Sequence, residues 1–186
     1  MKVEIDQQDL RKVKSMLVHI RDNVKPVQAR AINRTLTGIK ADVSTAIRAD
    51  LNLKKQYVDK HITTSKASSR SLLAGVITKS TPIGLINFTG VKQNKKGVSV
   101  KVKKSAKRST LKHAFIQRAK NATNVFRRAV ENGKRVARFP IERLTGPRLT
   151  DNLSKDEIIK PIEAKAGERL IKNIDHEISR ELQKAG

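Results

Sequence analysis

The sequence predicts an α+β fold, with long amphipathic N- and C-terminal helices packed on a small, mostly antiparallel and basic β-sheet. Apolar residues recur at spacings of three and four in the first fifty residues and again over 154–184, the period of one helical face. Between these stretches the period changes to short alternating runs parted by turn residues, as strands require. The densest positive charge lies in that same middle part, in LKHAFIQRAKNATNVFRRAVENGKRVARFPIERLTGP, residues 111–147.

Three segments of that stretch carry apolar residues: Ala114-Phe115-Ile116, Val125-Phe126 and Val136-Ala137. Lys120-Asn121 and Glu131-Asn132-Gly133 separate them, and Asn-Gly between such runs marks a hairpin. The expected result is an antiparallel sheet with Phe115 and Phe126 toward a core. Arg127, Arg128, Arg135 and Arg138 then line another surface.

Taken in order, residues 1–6 alternate Val3 and Ile5 with polar residues and read as a short edge strand. Leu10, Val13, Leu17, Ile20 and Val24 form a first helical face, and Arg11, Lys12 and Lys14 fall away from it. Pro26 suits the first turn of a new helix, so a break is expected there, followed by a helix over 26–50. Its face is Ile32, Leu36, Ile39, Val43 and Ile47, with Gly38 and several alanines keeping it slim for close packing. The Asn33-Arg34 pair in its first turns reads as a helix-to-sheet hydrogen bond.

Asn52 is placed to cap a short helix through Lys54, Lys55, Tyr57 and Val58. Tyr57, the one tyrosine, reads as a packing residue, since base-stacking platforms use several aromatics. The runs Leu72–Ile77 and Ile83–Phe88 read as strands, residues 90–97 as a basic loop, Val98–Val102 as a strand, and 103–110 as a second basic loop. Ser154-Lys155-Asp156-Glu157 has the capping-box form. Ile162, Ala166, Leu170, Ile174, Ile178 and Leu182 then mark the last helix, with Pro161 bending or restarting it. Its acids, among them Glu177 and Glu181, read as a solvated face.

The chain has 186 residues, which suits one domain over 1–186, with mobile basic loops around 90–97 and 103–110. Aromatic content of 3% and the absence of Trp leave a thin, aliphatic core. There is no cysteine, which excludes disulfides and thiolate metal sites. No apolar run approaches the roughly 20 residues that span a bilayer, so a soluble chain without a membrane partner is expected.

The formal charge is +24, with a pI near 10.8. Between Lys92 and Arg143, seventeen Lys and Arg face only Glu131 and Glu142. Clustering of that kind is the footprint of a polyanion-facing surface. We assign that surface to Lys101, Lys103, Lys104, Lys107, Arg108, Arg127, Arg128, Arg135 and Arg138. Binding there is expected to be independent of sequence, because paired base-reading groups are missing.

The four histidines have no metal-ligand spacing, and no P-loop, GxGxxG or GxSxG motif occurs. A nuclease would need clustered carboxylates to hold metal ions, and the basic middle lacks them. No catalytic residue, cofactor, metal or small-molecule substrate is expected.

Four segments together resemble one family: Ala31-Ile32-Asn33-Arg34, the basic helix around Lys54-Lys55, Ala114-Phe115-Ile116-Gln117 and Arg138-Phe139-Pro140-Ile141. In order and approximate spacing, over roughly 24–178, they resemble the minor tail protein Z family of lambda-like phages and prophages. The resemblance implies a virion protein assembled in the host cytoplasm, a tail-completion or neck subunit at the head-proximal end of the tail. It further implies a hexameric ring of identical subunits and contact with tail-terminator, tail-tube or head-completion proteins. Genomic DNA would pass the basic surface. The competing reading is a free, sequence-nonspecific nucleic-acid-binding protein, which explains the charge but not the long, slim apolar helices.

Overall fold

A computed structural model describes residues 7–119, 122–128, 130–131, 134–135 and 140–185. The first element, α1 (Gln7–Asp50), is one continuous helix with Pro26 inside it. The expected break does not occur, although Pro26 has no N–H to donate to the carbonyl four residues back. Val27, Ala29, Ala31 and Leu36 are buried in the turns that follow, and tertiary packing of this kind offsets the missing bond.

After α1 come α2 (Lys55–His61), β1 (Ile62–Ser65), β2 (Gly75–Thr78), a 3₁₀ turn (Leu85–Asn87), β3 (Lys92–Asn94), β4 (Gly97–Val100) and β5 (Ser109–Lys112). They are followed by β6 (Ala114–Ala119), β7 (Ala122–Arg128), β8 (Val130–Glu131), β9 (Lys134–Arg135), β10 (Ile141–Arg143), α3 (Leu149–Leu153) and α4 (Asp156–Ala185). The strands form small sheets, ordered β1-β2, β3-β4-β5, β10-β7-β6 and β8-β9. The three-stranded sheets are antiparallel throughout. The architecture is α+β, as the change of period predicts.

The chain gathers into two compact units, each built from separated segments. The first takes α1 through Ala41, Thr64–Ile77 and the chain from Lys160 onward. Here Arg30 meets Glu177 and Glu181, Thr35 meets Asn173, and the Arg169 side chain lies across Gly38. Rising numbers on α1 meet falling numbers on α4, so these helices run antiparallel. Asn33 accepts a bond from the Ala67 N–H and donates one to the Ala67 carbonyl, both at 2.8 Å. The expected helix-to-sheet bond is thus made instead to the loop backbone just beyond β1.

The apolar stripe expected on α4 only begins in the core. Ile162 is buried, whereas Ile178 and Leu182 are exposed. Steps of four residues advance about 40° each at 3.6 residues per turn, so the stripe winds off the packed face by the end of the helix. Glu177 and Glu181 take its place and are buried, not solvated as the sequence suggests.

The second unit comprises Asp42–Thr63 and Thr78–Ile159. Ile47, Leu51, Val58, Ile83, Val98, Val125 and Leu149 are at most 1% exposed and form its core. Asn52 does not cap a helix. Its amide donates to the Thr89 and Lys101 carbonyls, and its own backbone bonds Val102 and Thr89, so it ties three segments together. The Ile83–Phe88 run is a buried 3₁₀ turn flanked by the single bridges Gly84↔Thr145 and Leu53↔Phe88. A short apolar run bounded by turns does not distinguish a strand from a buried turn. Ser154 closes α3 through its N–H to Thr150 and its hydroxyl to Asp151, rather than opening α4.

Candidate functional site

The basic middle of the chain is built on β7. It pairs with β6 through Ile116↔Val125 and Phe115↔Phe126, the hairpin that the sequence predicts. Its other neighbour is β10, through Glu142↔Arg127 and Ile141↔Arg128. The third strand expected at Val136-Ala137 lies outside the described residues, as do the Asn132-Gly133 turn and the edge strand at 1–6.

Strand alternation decides where the arginines go. Val125 is fully buried, and its face carries Ala114, Ile116 and Arg127. Phe115, Phe126 and Arg128 share the opposite face. The two phenyl rings are half-buried, 6.1 Å apart, and the Arg128 guanidinium lies 5.3 Å from the Phe115 ring centre. The core side chain is therefore Val125 rather than the phenylalanines, and Arg127 and Arg128 cannot line one surface. Arg127 faces Glu142 across the strands at 3.8 Å, an exposed pair of small energetic consequence.

The remaining predicted residues are spread out. Lys101, Lys103, Lys104, Lys107 and Arg108 occupy the connection from β4 to β5, and all but the half-buried Lys101 are exposed. Backbone bonds seat its start: Lys103 bridges Leu51, and the Lys104 N–H donates to Asp50. Arg108 donates to the Gly90 carbonyl at 2.6 Å, so it also holds the connection in place. Arg135 lies in β9, and Arg138 lies outside the described residues.

Residues 90–97, read as a basic loop, hold a hairpin. Lys92 pairs with Ser99 and Asn94 with Gly97, leaving Lys95 and Lys96 at the tip. Gly97 makes the turn possible: its φ is +142°, and a Cβ there would lie 2.0 Å from the Leu111 carbonyl oxygen. Gln93 accepts the Ile116 N–H at 2.8 Å, which fixes β3 beside β6.

Beneath this tip lies a cavity of about 500 Å³ lined by Gln93, Asn94, Lys95, Lys96, Gly97, Lys112, His113, Ala114, Phe115 and Arg128. His113 turns the chain from β5 to β6 with a positive φ of 61°. Among the described residues no carboxylate lines the cavity. Its lysines are separated in the chain, Lys95 and Lys96 within the expected basic loop and Lys112 just before the Ala114-Phe115-Ile116 segment, and no local motif announces them.

Tyr57 packs as expected. Its ring stacks on His61 at 4.2 Å, and burial raises its phenol, with nearby Arg143 pulling in the opposite direction. Among the described residues there is no group of three or more His, Cys, Asp or Glu placed to hold a metal.

Small antiparallel sheets with exposed cations, a long-helix seam and a basic cavity define a class: a basic α+β protein. The particular family follows from comparison. Residues 8–185 match the prophage minor tail protein Z family, and the chain belongs to it. That makes it a phage tail component and a virion protein, with other virion proteins around it. No curated protein and no solved structure matches the chain.

Proposed function

We propose that the protein is a non-enzymatic tail-completion subunit at the head-proximal end of the tail. Six copies form a ring through which the genome passes, next to tail-terminator, tail-tube or head-completion proteins. Membership in the minor tail protein Z family carries this reading. The charge supports it, because +24 on one subunit favours a polyanion at close range.

Of the basic residues, the β4–β5 connection is the best DNA-facing element. Lys103, Lys104, Lys107 and Arg108 are exposed in a run of chain without a carboxylate, and Arg127 adds charge from the sheet. Contacts of this kind go to phosphates and carry no sequence information. DNA affinity of the purified protein should therefore fall steeply with salt, with a log–log slope of about −0.9 per phosphate neutralised. Replacing Lys103, Lys104 and Lys107 by Gln should flatten that slope by roughly 2–3 and leave the circular dichroism spectrum unchanged. An unchanged slope removes these lysines from the interface. Imaging of the DNA-filled particle tests position and copy number: a single copy, or a lumen lined by other chains, contradicts the ring.

A further inference from the structure

The cavity under the β3–β4 tip shares only Arg128 with the surface assigned to DNA. We propose that it is a socket for an acidic, extended segment of a neighbouring virion protein, whose carboxylate reaches the Arg128 guanidinium. This holds whether or not the lysines of the β4–β5 connection meet DNA.

Three observations carry it. Among the described residues, the ionisable groups that line the cavity are Lys95, Lys96, Lys112, His113 and Arg128, with no acid among them. The Arg128 Nε is buried and has no hydrogen-bond partner among the described residues, whereas buried donors are ordinarily satisfied. The guanidinium carbon also lies over the Phe115 ring, 5.3 Å from its centre, and a guanidinium is a planar fork of the shape that takes a carboxylate through two parallel bonds.

The form of the cavity selects among anions. Duplex DNA is stiff on this scale and presents its phosphates on a rod, which suits an open surface better than a recess of about 500 Å³. A single-stranded nucleic acid could enter, but it gains its affinity by stacking bases on open aromatic faces. Here Phe115 is taken up by Arg128 and Phe126. An extended peptide is narrow enough to enter and needs no stacking platform. The protein's own excess of cations points to an acidic partner.

The test uses the full-length protein at fixed moderate salt, with a fluorescein-labelled oligoglutamate peptide and a labelled oligothymidylate as probes. Oligoglutamate should bind, and K95Q/K96Q/K112Q should weaken it about tenfold, the consequence of losing charge-assisted bonds. Arg128→Lys keeps the charge but loses the fork, and should weaken it by a similar factor. K103Q/K104Q/K107Q removes the same charge elsewhere and should change it about twofold or less. Lys95, Lys96 and Lys112 are exposed, so their removal leaves the fold in place. Equal losses in the two triple variants would reduce the effect to net charge and overturn the socket. So would no binding by the unsubstituted protein, or a larger loss for oligothymidylate than for oligoglutamate in the cavity variants.

Discussion

Arg30 is the residue on which the seam of the first unit turns. Its Nε donates to Glu177 at 2.8 Å and its Nη2 to Glu181 at 2.5 Å. Both carboxylates are buried, at 4% and 5% exposure, whereas Arg30 keeps 39% of its side chain in solvent. A buried carboxylate that loses its partner costs far more than an exposed pair ever contributes. Arg180 and Lys184 stand 4.0 and 3.3 Å from the same two acids and soften the loss without replacing it. Arg30→Ala should destabilise the protein by roughly 2–3 kcal/mol in urea unfolding, below the full value for a buried pair because Arg30 is partly solvated. Adding Glu177→Gln and Glu181→Gln should recover part of that. A single-variant effect under about 0.5 kcal/mol, the range of ordinary surface changes, would show that the acids do not depend on Arg30. These acids were misread from sequence for a geometric reason: each sits one place before an apolar residue of a four-residue repeat, and only the winding of that repeat brings it inward.

Among the elements, the β3–β4 hairpin decides whether the basic cavity exists at all. Its turn depends on Gly97, where the backbone has a positive φ and the Leu111 carbonyl occupies the place of a side chain. Gly97→Ala meets a main-chain atom rather than a flexible side chain. It should cost at least about 2 kcal/mol by urea unfolding and abolish oligoglutamate binding even where the fold persists. A variant with normal stability and binding would mean that the turn rearranges freely. Gly97 opens β4, whose four residues are all buried, so the site and the core share this strand. The elements readable from sequence are those fixed by local period: the β6–β7 hairpin and the helical character of the two long end segments. The continuous α1 was not readable at Pro26, since the packing of Val27, Ala29 and Ala31 that sustains the helix is tertiary. The cavity was hidden for the same reason. Lys95–Lys96, Lys112–His113 and Arg128 meet through the pairings Gly97↔Lys112 and Ala114↔Arg127, with Gln93 fixing β3 beside β6, and each segment alone looks like ordinary solvated charge.

On the scale of the whole molecule, charge is the dominant unspent term. A net +24 on 186 residues repels itself in the compact state. Two effects of salt therefore oppose one another. Screening weakens ion pairs, yet the best-buried of these, between Arg30 and its two acids, are screened little, and the exposed Arg127–Glu142 pair contributes little to begin with. Screening also relieves the repulsion among the excess cations, which are mostly in solvent. The Debye length falls from about 30 Å at 0.01 M salt to about 8 Å at 0.15 M, so long-range repulsion is the larger loser. The isolated subunit should gain about 1–2 kcal/mol over that range, which for a chain of this size is roughly 2–8 °C in Tm. Scanning calorimetry in sodium chloride measures it. An acidic polymer at low salt should match or exceed that gain at far lower ionic strength, because a ligand that binds only the folded state stabilises by mass action. A Tm that stays flat or falls with salt would mean that the cations are compensated within the subunit, and the requirement for a polyanionic or acidic neighbour would go with it.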